Sequence, residues 1–251
     1  MNAASPALVR KSLYAGMIPP LADYVTEALI FPGINARDPW PTKGSFRFVC
    51  RVMSGGKEIA RSEPQSCDQK GHVTINLDKV MKGVTEPGPS FTIVEMERSE
   101  DIPVSFYFAH IHRKTGIYYP SPALGVMGDT IYQEAHATQL ENTLFWPGIP
   151  NTSNTEFRLA VINPYEAPMS IEATGWHNTL GRCTSGVRRV SPGQCVWLPL
   201  ADWMPASWLE AGESASICVA AQFKLVAFMA MVNRTTGIIT SADHLHAYHL
   251  Y

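Results

Sequence analysis

Two histidines one residue apart, His110 and His112, are the sharpest chemical signal in the chain, inside VSFYFAHIHRKTGI (Val104–Ile117). On an extended strand, residues i and i+2 leave the same face about 7 Å apart, a spacing that suits two ligands of one divalent metal. A full site also needs a carboxylate and a further histidine, and here Arg113-Lys114-Thr115-Gly116 follows instead. A second cluster closes the chain, Asp243-His244-Leu245-His246-Ala247-Tyr248-His249. If it is extended, His244 and His246 share a face and Asp243 takes the other. His110, His112, His244 and His246 are therefore the candidate metal ligands, and a metal-dependent enzyme built on them is one reading. The plainer reading is a packed imidazole pair on a strand and a terminal strand or tail. The acidic pairs Glu95/Glu97 and Glu100-Asp101 could do acid–base work, but Glu95 and Glu97 alternate with apolar residues as a solvated strand face does. Nucleophile elbow, P-loop and dinucleotide fingerprint are all missing, so no catalytic residue and no cofactor is predicted beyond a divalent ion.

Cysteine chemistry is no stronger. There are five cysteines and no C-x-x-C spacing, which speaks against a zinc or redox centre. Cys50, Cys183, Cys195 and Cys218 sit in apolar, strand-like runs where buried thiols are common, and Cys67 sits in a polar turn. A Cys183–Cys195 bridge across a hairpin would need an oxidising compartment. The aromatic residues offer another kind of site. Trp208, in a loop beside Pro205 and Leu209, and Tyr118-Tyr119-Pro120 are the candidate contact residues, for a protein surface or for stacking on sugar.

The elements that must carry these groups read as β. Nineteen prolines and eighteen glycines punctuate 251 residues, favouring many short strands over long helices. The apolar fraction of 45% and the net charge of −2 fit a globular protein without a strong field. Twenty scattered Lys and Arg supply no basic face for nucleic acid. No apolar run reaches the length of a membrane span. The first residues lack a continuous apolar segment behind Arg10-Lys11, so no Sec signal is read there, which predicts a cytoplasmic chain or export by another route.

The chain also repeats itself. VSFYFAHIHRKTGI returns as LVAFMAMVNRTTGI (Leu225–Ile238), which sets His110 opposite Met231 and His112 opposite Asn233. LIFPGI (Leu29–Ile34) returns as LFWPGI (Leu144–Ile149). Between them, Phe46–Val52 pairs with Phe157–Ile162, Glu58–Arg61 with Met169–Thr174, and His72–Leu77 with Gln194–Leu198. LDKVM (Leu77–Met81) answers LADWM (Leu200–Met204), and Phe91–Met96 answers Ala215–Ala220. The first strand alternates apolar and basic, as a strand with one wet face does, whereas its partner is apolar on both faces after Arg158 and reads as central. A short helix is expected near Leu21–Ala28, after Pro19-Pro20. The whole reads as an all-β chain of two tandem antiparallel β-sandwich units from an internal duplication. Residues 1–28 form an N-terminal segment, 29–121 unit 1, 122–143 a connection that could itself supply a strand or helix, and 144–251 unit 2 with a C-terminal tail.

Four pieces of the second unit resemble a repeat widespread in bacterial surface and secreted proteins. They are Trp146-Pro147-Gly148-Ile149, Leu159-Ala160-Val161-Ile162-Asn163-Pro164, Ser191-Pro192-Gly193 and Leu225-Val226-Ala227-Phe228. The likeness covers most of 144–238 and the outline of 29–118. It implies a β-sandwich scaffold at the cell surface or outside it, and carries no catalytic residues. The function expected is a non-catalytic structural or interaction module that packs into a homo-oligomer or a larger, filament-like assembly. A carbohydrate-binding module and a histidine-based metalloenzyme are the rivals.

Overall fold

The computed structural model describes residues 10–32, 45–68, 72–85, 88–98, 104–126, 142–149, 154–210, 215–222 and 225–247. Among these the protein is nearly all β, in antiparallel sheets. The first half supplies β1 (Arg10–Ile18), β2 (Tyr24–Pro32), β3 (Ser45–Ser54), β4 (Lys57–Arg61) and β5 (Gln65–Asp68). It continues with β6 (Val73–Asn76), the one-turn helix α1 (Leu77–Val80), β7 (Ser90–Arg98), β8 (Val104–His112), β9 (Tyr118–Pro122) and β10 (Leu124–Val126). The second half supplies β11 (Asn142–Ile149), β12 (Thr155–Ile162), β13 (Met169–His177), β14 (Gly181–Val190) and β15 (Cys195–Pro199). After a 3₁₀ turn (Leu200–Asp202) and the short helix α2 (Ala206–Glu210) come β16 (Ala215–Ala221), β17 (Val226–Asn233), β18 (Ile239–His244) and β19 (His246–Ala247).

The predicted helix near Leu21–Ala28 is instead a turn followed by β2. Tyr24, Thr26, Ala28 and Ile30 are buried and alternate with half-exposed Val25, Glu27, Leu29 and Phe31. That is the two-residue period of a strand. Both β1 and β2 belong to the sheets of the first unit, which therefore begins well before Leu29. The predicted element around Ile131-Tyr132 lies outside the described residues.

Each half makes two sheets, and the strand order repeats between halves. Sheet A runs β10-β1-β7-β3-β4 with β5 also on β3, and sheet C runs β19-β11-β16-β13-β14. Sheet B runs β6-β2-β8-β9, and sheet D runs β15-β12-β17-β18. Taken by position, β1 corresponds to β11 and β2 to β12, onward to β10 and β19, with β5 extra. The later sequence pairings fall on corresponding elements: β6 with β15, α1 with the 3₁₀ turn, β7 with β16 and β8 with β17. The earlier ones are displaced by one strand, since LIFP lies on β2 and LFWPGI on β11. A short apolar run ending in Pro-Gly suits any strand that leads into a turn, and the two differ in detail: Pro32 ends β2, whereas Pro147 sits at a register break within β11.

Three apolar layers alternate with the sheets. Phe48, Cys50, Val52, Ile30 and Phe108 fill the first unit between A and B. Leu159, Val161, Ile171, Ile217 and Met229 fill the second between D and C. The third layer joins the units: Ala15, Met17, Phe91 and Ile93 on the outer face of sheet A meet Ala160, Ile162, Phe228 and Ala230 of sheet D. β12 from Leu159 onward and most of β17 are thus buried on both faces, which is why these stretches are apolar without alternation. At the rim, the Tyr24 hydroxyl receives the Ile239 N–H at 2.7 Å, and the Gly56 N–H donates to the Gly193 carbonyl at 3.2 Å. The turns at Ser54–Lys57 and Ser191–Gly193 therefore meet across the units. Inside the first sandwich a Cβ on Gly16 would stand 2.0 Å from the Phe108 ring, so glycine there sets the approach of sheet A to sheet B.

Candidate functional site

His110 and His112 do leave β8 on one face, toward the interior. His110 is fully buried, with Nδ1 3.0 Å from the Thr26 hydroxyl on β2 and Nε2 2.8 Å from the Ser121 hydroxyl on β9. A neutral imidazole has one donor and one acceptor nitrogen, and hydroxyls can answer both. Burial pushes its pKa down to about 3. Phe108 stacks beside the ring and Tyr119 tilts against it. His112 is engaged differently, by the chain just beyond it. Its Nδ1 accepts the Thr115 N–H at 3.2 Å and meets the Thr115 hydroxyl at 2.8 Å, which caps the exit turn of β8. A metal on His110 would have to displace one of its two hydroxyl partners, whereas on His112 the structure shows only Nδ1 engaged.

The C-terminal histidines part company. His244 lies on β18 in sheet D, with Nδ1 2.8 Å from Asp243, whereas His246 lies on β19 in sheet C. Buried Leu245 is the corner at which the chain changes sheet, so the shared face expected of an extended tail is not formed. No group of three or more His, Cys, Asp or Glu side chains gathers among the described residues.

The contact candidates divide in the same way. Tyr118 is open at 56% exposure, but Tyr119 is buried. Its hydroxyl lacks a hydrogen-bond partner, and burial raises its pKa. Trp208, expected at an interface, is a core residue at 4% exposure, packed over Gly175 and beside the His177 ring. Trp208 lies on α2 rather than in a loop, and the sequence carries no signal linking it to a glycine in the middle of β13. Cys183 and Cys195 are free thiols on strands of different sheets, β14 in C and β15 in D, so the hairpin bridge is not made. Desolvation raises the Cys195 thiol to about 12 and that of Cys50 likewise. Cys67 lies on β5 rather than in a turn. Glu95, from the acidic pairs, is salt-bridged to Arg51 on sheet A.

Two features that the sequence did not signal remain. The first is a cleft of about 500 Å³ between the units, with Asp23, Tyr24 and Pro89 on one side and Arg158, Trp197 and Ile239 on the other. The Arg158 guanidinium is forked onto Glu156 at 2.9 and 3.0 Å, which raises the arginine pKa and lowers that of the carboxylate. Burial raises the Tyr24 phenol, an effect the Ile239 backbone bond partly offsets. The cleft can hydrogen-bond and stack, and its described lining holds no Ser, Cys or His.

The second is the outer face of sheet B. Tyr107, Ile111 and Tyr118 stand out from it at 43%, 37% and 56% exposure, flanked by half-exposed Val25, Leu29 and Phe31. Its four strands contain no Lys, Arg or Asp, and Glu27, hydrogen-bonded by Asn76, is the one acidic side chain. Sheet A, by contrast, is guarded at its β4 edge, where Arg61 and Arg51 hold the Glu58 carboxyl down at about 2. No helix among the described residues is long and apolar enough to cross a membrane. No protein-family model, curated protein or solved structure matches the chain.

Proposed function

We propose that the protein is a non-catalytic structural module of two β-sandwiches that works by packing against other protein. One observation carries this reading: the outer face of sheet B is a broad apolar surface, with Tyr107, Ile111 and Tyr118 open to solvent and nearly free of charge. Apolar sheet faces of this size are costly to leave wet, and soluble proteins reserve them for contacts. Strands that lack guarding charges tend toward the same use. The repeated strand order supports reading the halves as copies of one unit, and membership of the bacterial surface repeat family belongs to the same proposal. The test is size fractionation of the chain in its native extract. The expected result is elution in a high-mass assembly that Tyr107→Lys returns to the monomer position. Elution of the unaltered chain as a monomer would sink the reading.

A second reading, carbohydrate binding, is favoured by the inter-unit cleft rather than by loop aromatics. Trp197 offers a stacking face there, and Asp23 and Arg158 offer polar groups. Calorimetric titration with a saccharide panel decides it: heat of binding that Trp197→Ala abolishes would support it, and no heat from any saccharide would remove it.

A further inference from the structure

We propose that the outer face of sheet B is a self-association surface, on which two copies of this chain pack sheet B against sheet B. This rests on the interaction reading above and names the partner. The starting point is the correspondence between sheets B and D. The exit turns of β8 and β17 anchor the register: Arg113 N–H donates to the Asp23 carbonyl, and Arg234 N–H to the Asn154 carbonyl. The pairings of β2 with β8 and of β12 with β17 then match residue for residue. On the faces pointing away from their own sandwich cores, Leu29 corresponds to Ala160, Phe31 to Ile162 and Tyr107 to Phe228. Ala109 corresponds to Ala230, Ile111 to Val232, and Tyr118, after the bulge, to Ile239.

Every second-unit member of these pairs is buried in the layer beneath sheet A. The first-unit members are of the same apolar character, yet Tyr107, Ile111 and Tyr118 are open. Over these positions one face serves twice, covered in the second unit and uncovered in the first. At the start of the strands Val25 and Glu27 correspond instead to the paired Glu156 and Arg158. What covers it in the second unit is an apolar sheet face carrying Ala15, Met17, Phe91 and Ile93. A second copy offers two outer faces. That of sheet C carries exposed Trp176 and Val187, but among Ser170, Glu172, Ser216 and Arg182, polar and charged groups that would be stripped of water against sheet B. Head-to-tail growth through sheet C is therefore disfavoured. The remaining face of matching chemistry is sheet B itself, and B on B closes as a two-fold dimer that covers both apolar faces at once.

The size is adequate. Four strands spaced about 4.8 Å apart, the longest of them nine residues, present roughly 500 Å² per copy. Two such faces reach the ~1,000 Å² that a specific contact needs, at the weak end of the range. Glu27 is held by Asn76 and carries the only acidic charge on the face, so the two copies bring one such charge each.

Sedimentation equilibrium of the full chain over a wide concentration range tests this. The expected result is growth of a species of twice 27.7 kDa, with a dissociation constant raised at least ~10-fold by Tyr107→Lys with Ile111→Lys. Trp176→Lys, on sheet C, is expected to leave it unchanged. Should the double variant lose its β circular dichroism, Tyr118→Lys, at a more exposed position, takes its place. A chain that stays monomeric, a dimer indifferent to the sheet B variants, or one lost with Trp176→Lys would each overturn the proposal. The two levels separate cleanly. A purified monomer whose native high-mass assembly still falls apart on Tyr107→Lys removes self-association and leaves the interaction reading standing. A monomer in both settings removes both.

Discussion

His110 and Met231 occupy the same place in the two units, and the difference between them shows what the histidine does. In the second unit Met231 faces Phe157 across the strand pair, an apolar solution; in the first, His110 lies between the hydroxyls of Thr26 and Ser121. The imidazole works in its neutral form, because burial holds its pKa at about 3 against an unfolded value near 6.5. Below 6.5 the unfolded chain binds the extra proton and the folded chain does not. The histidine's contribution is fully present above pH 6.5 and is lost as pH falls toward 3. His110→Met is expected to lower stability at pH 7 by about 1–3 kcal/mol, since two buried hydroxyls lose their partner. The same variant is expected to flatten the decline between pH 6.5 and 4.5, which in the parent amounts to about 2 kcal/mol. Adding Thr26→Val and Ser121→Ala should recover most of the loss, because removing both sides of a buried bond is nearly neutral. Urea melts across that pH interval read all three effects; an unchanged acid limb in His110→Met would refute the assignment.

At the scale of elements, the exit turns of β8 and β17 are the same device made from different residues. His112 Nδ1 accepts the N–H of Thr115, and Asn233 Oδ1 accepts those of Thr235 and Thr236. Gly116 and Gly237 follow at φ of +69° and +70°, a backbone that a side chain would strain. His112→Asn is therefore expected to change stability by less than ~0.5 kcal/mol, whereas His112→Leu, which cannot accept, should cost about 1–3 kcal/mol by thermal melting. Gly16→Ala tests the packing of whole sheets: the new methyl meets the Phe108 ring, so a loss of about 1–3 kcal/mol is expected, relieved in part by Phe108→Leu.

The turn motif was legible in the sequence because Arg-x-Thr-Gly-Ile recurs intact. The central place of β12 was legible because Leu159–Ile162 has no polar face, and the wet face of β3 because Arg47 and Arg51 alternate with Phe48, Cys50 and Val52. What escaped was whatever depends on partners distant in the chain. Tyr24 read as part of a helix because its partner, Ile239, lies in the other unit, and Trp208 read as a loop contact residue because its seat, Gly175, lies on a distant strand. The cleft was invisible for the same reason, since Asp23 and Arg158 are brought together only by the contact of the two units.

For the whole molecule, the decisive feature is that the middle layer is a core in its own right. Met17, Phe91, Phe228, Ala230 and Val232 are all buried there, and each unit alone would expose its share to water. At about 25 cal/mol per Å² of apolar surface, losing such a layer costs a sizeable part of the net stability of a domain. The two sandwiches should therefore unfold together. Calorimetry of the full chain is expected to give one transition, with calorimetric and van't Hoff enthalpies in agreement. Met17→Lys places an unpaired charge in the layer and should split that transition in two, the second unit melting independently while its own core of Leu159, Ile171, Ile217 and Met229 stays whole. Two transitions in the unaltered chain would mean that the layer does not couple the units. The inference drawn from it, that an equally apolar face on sheet B is also built to be covered, would weaken with it.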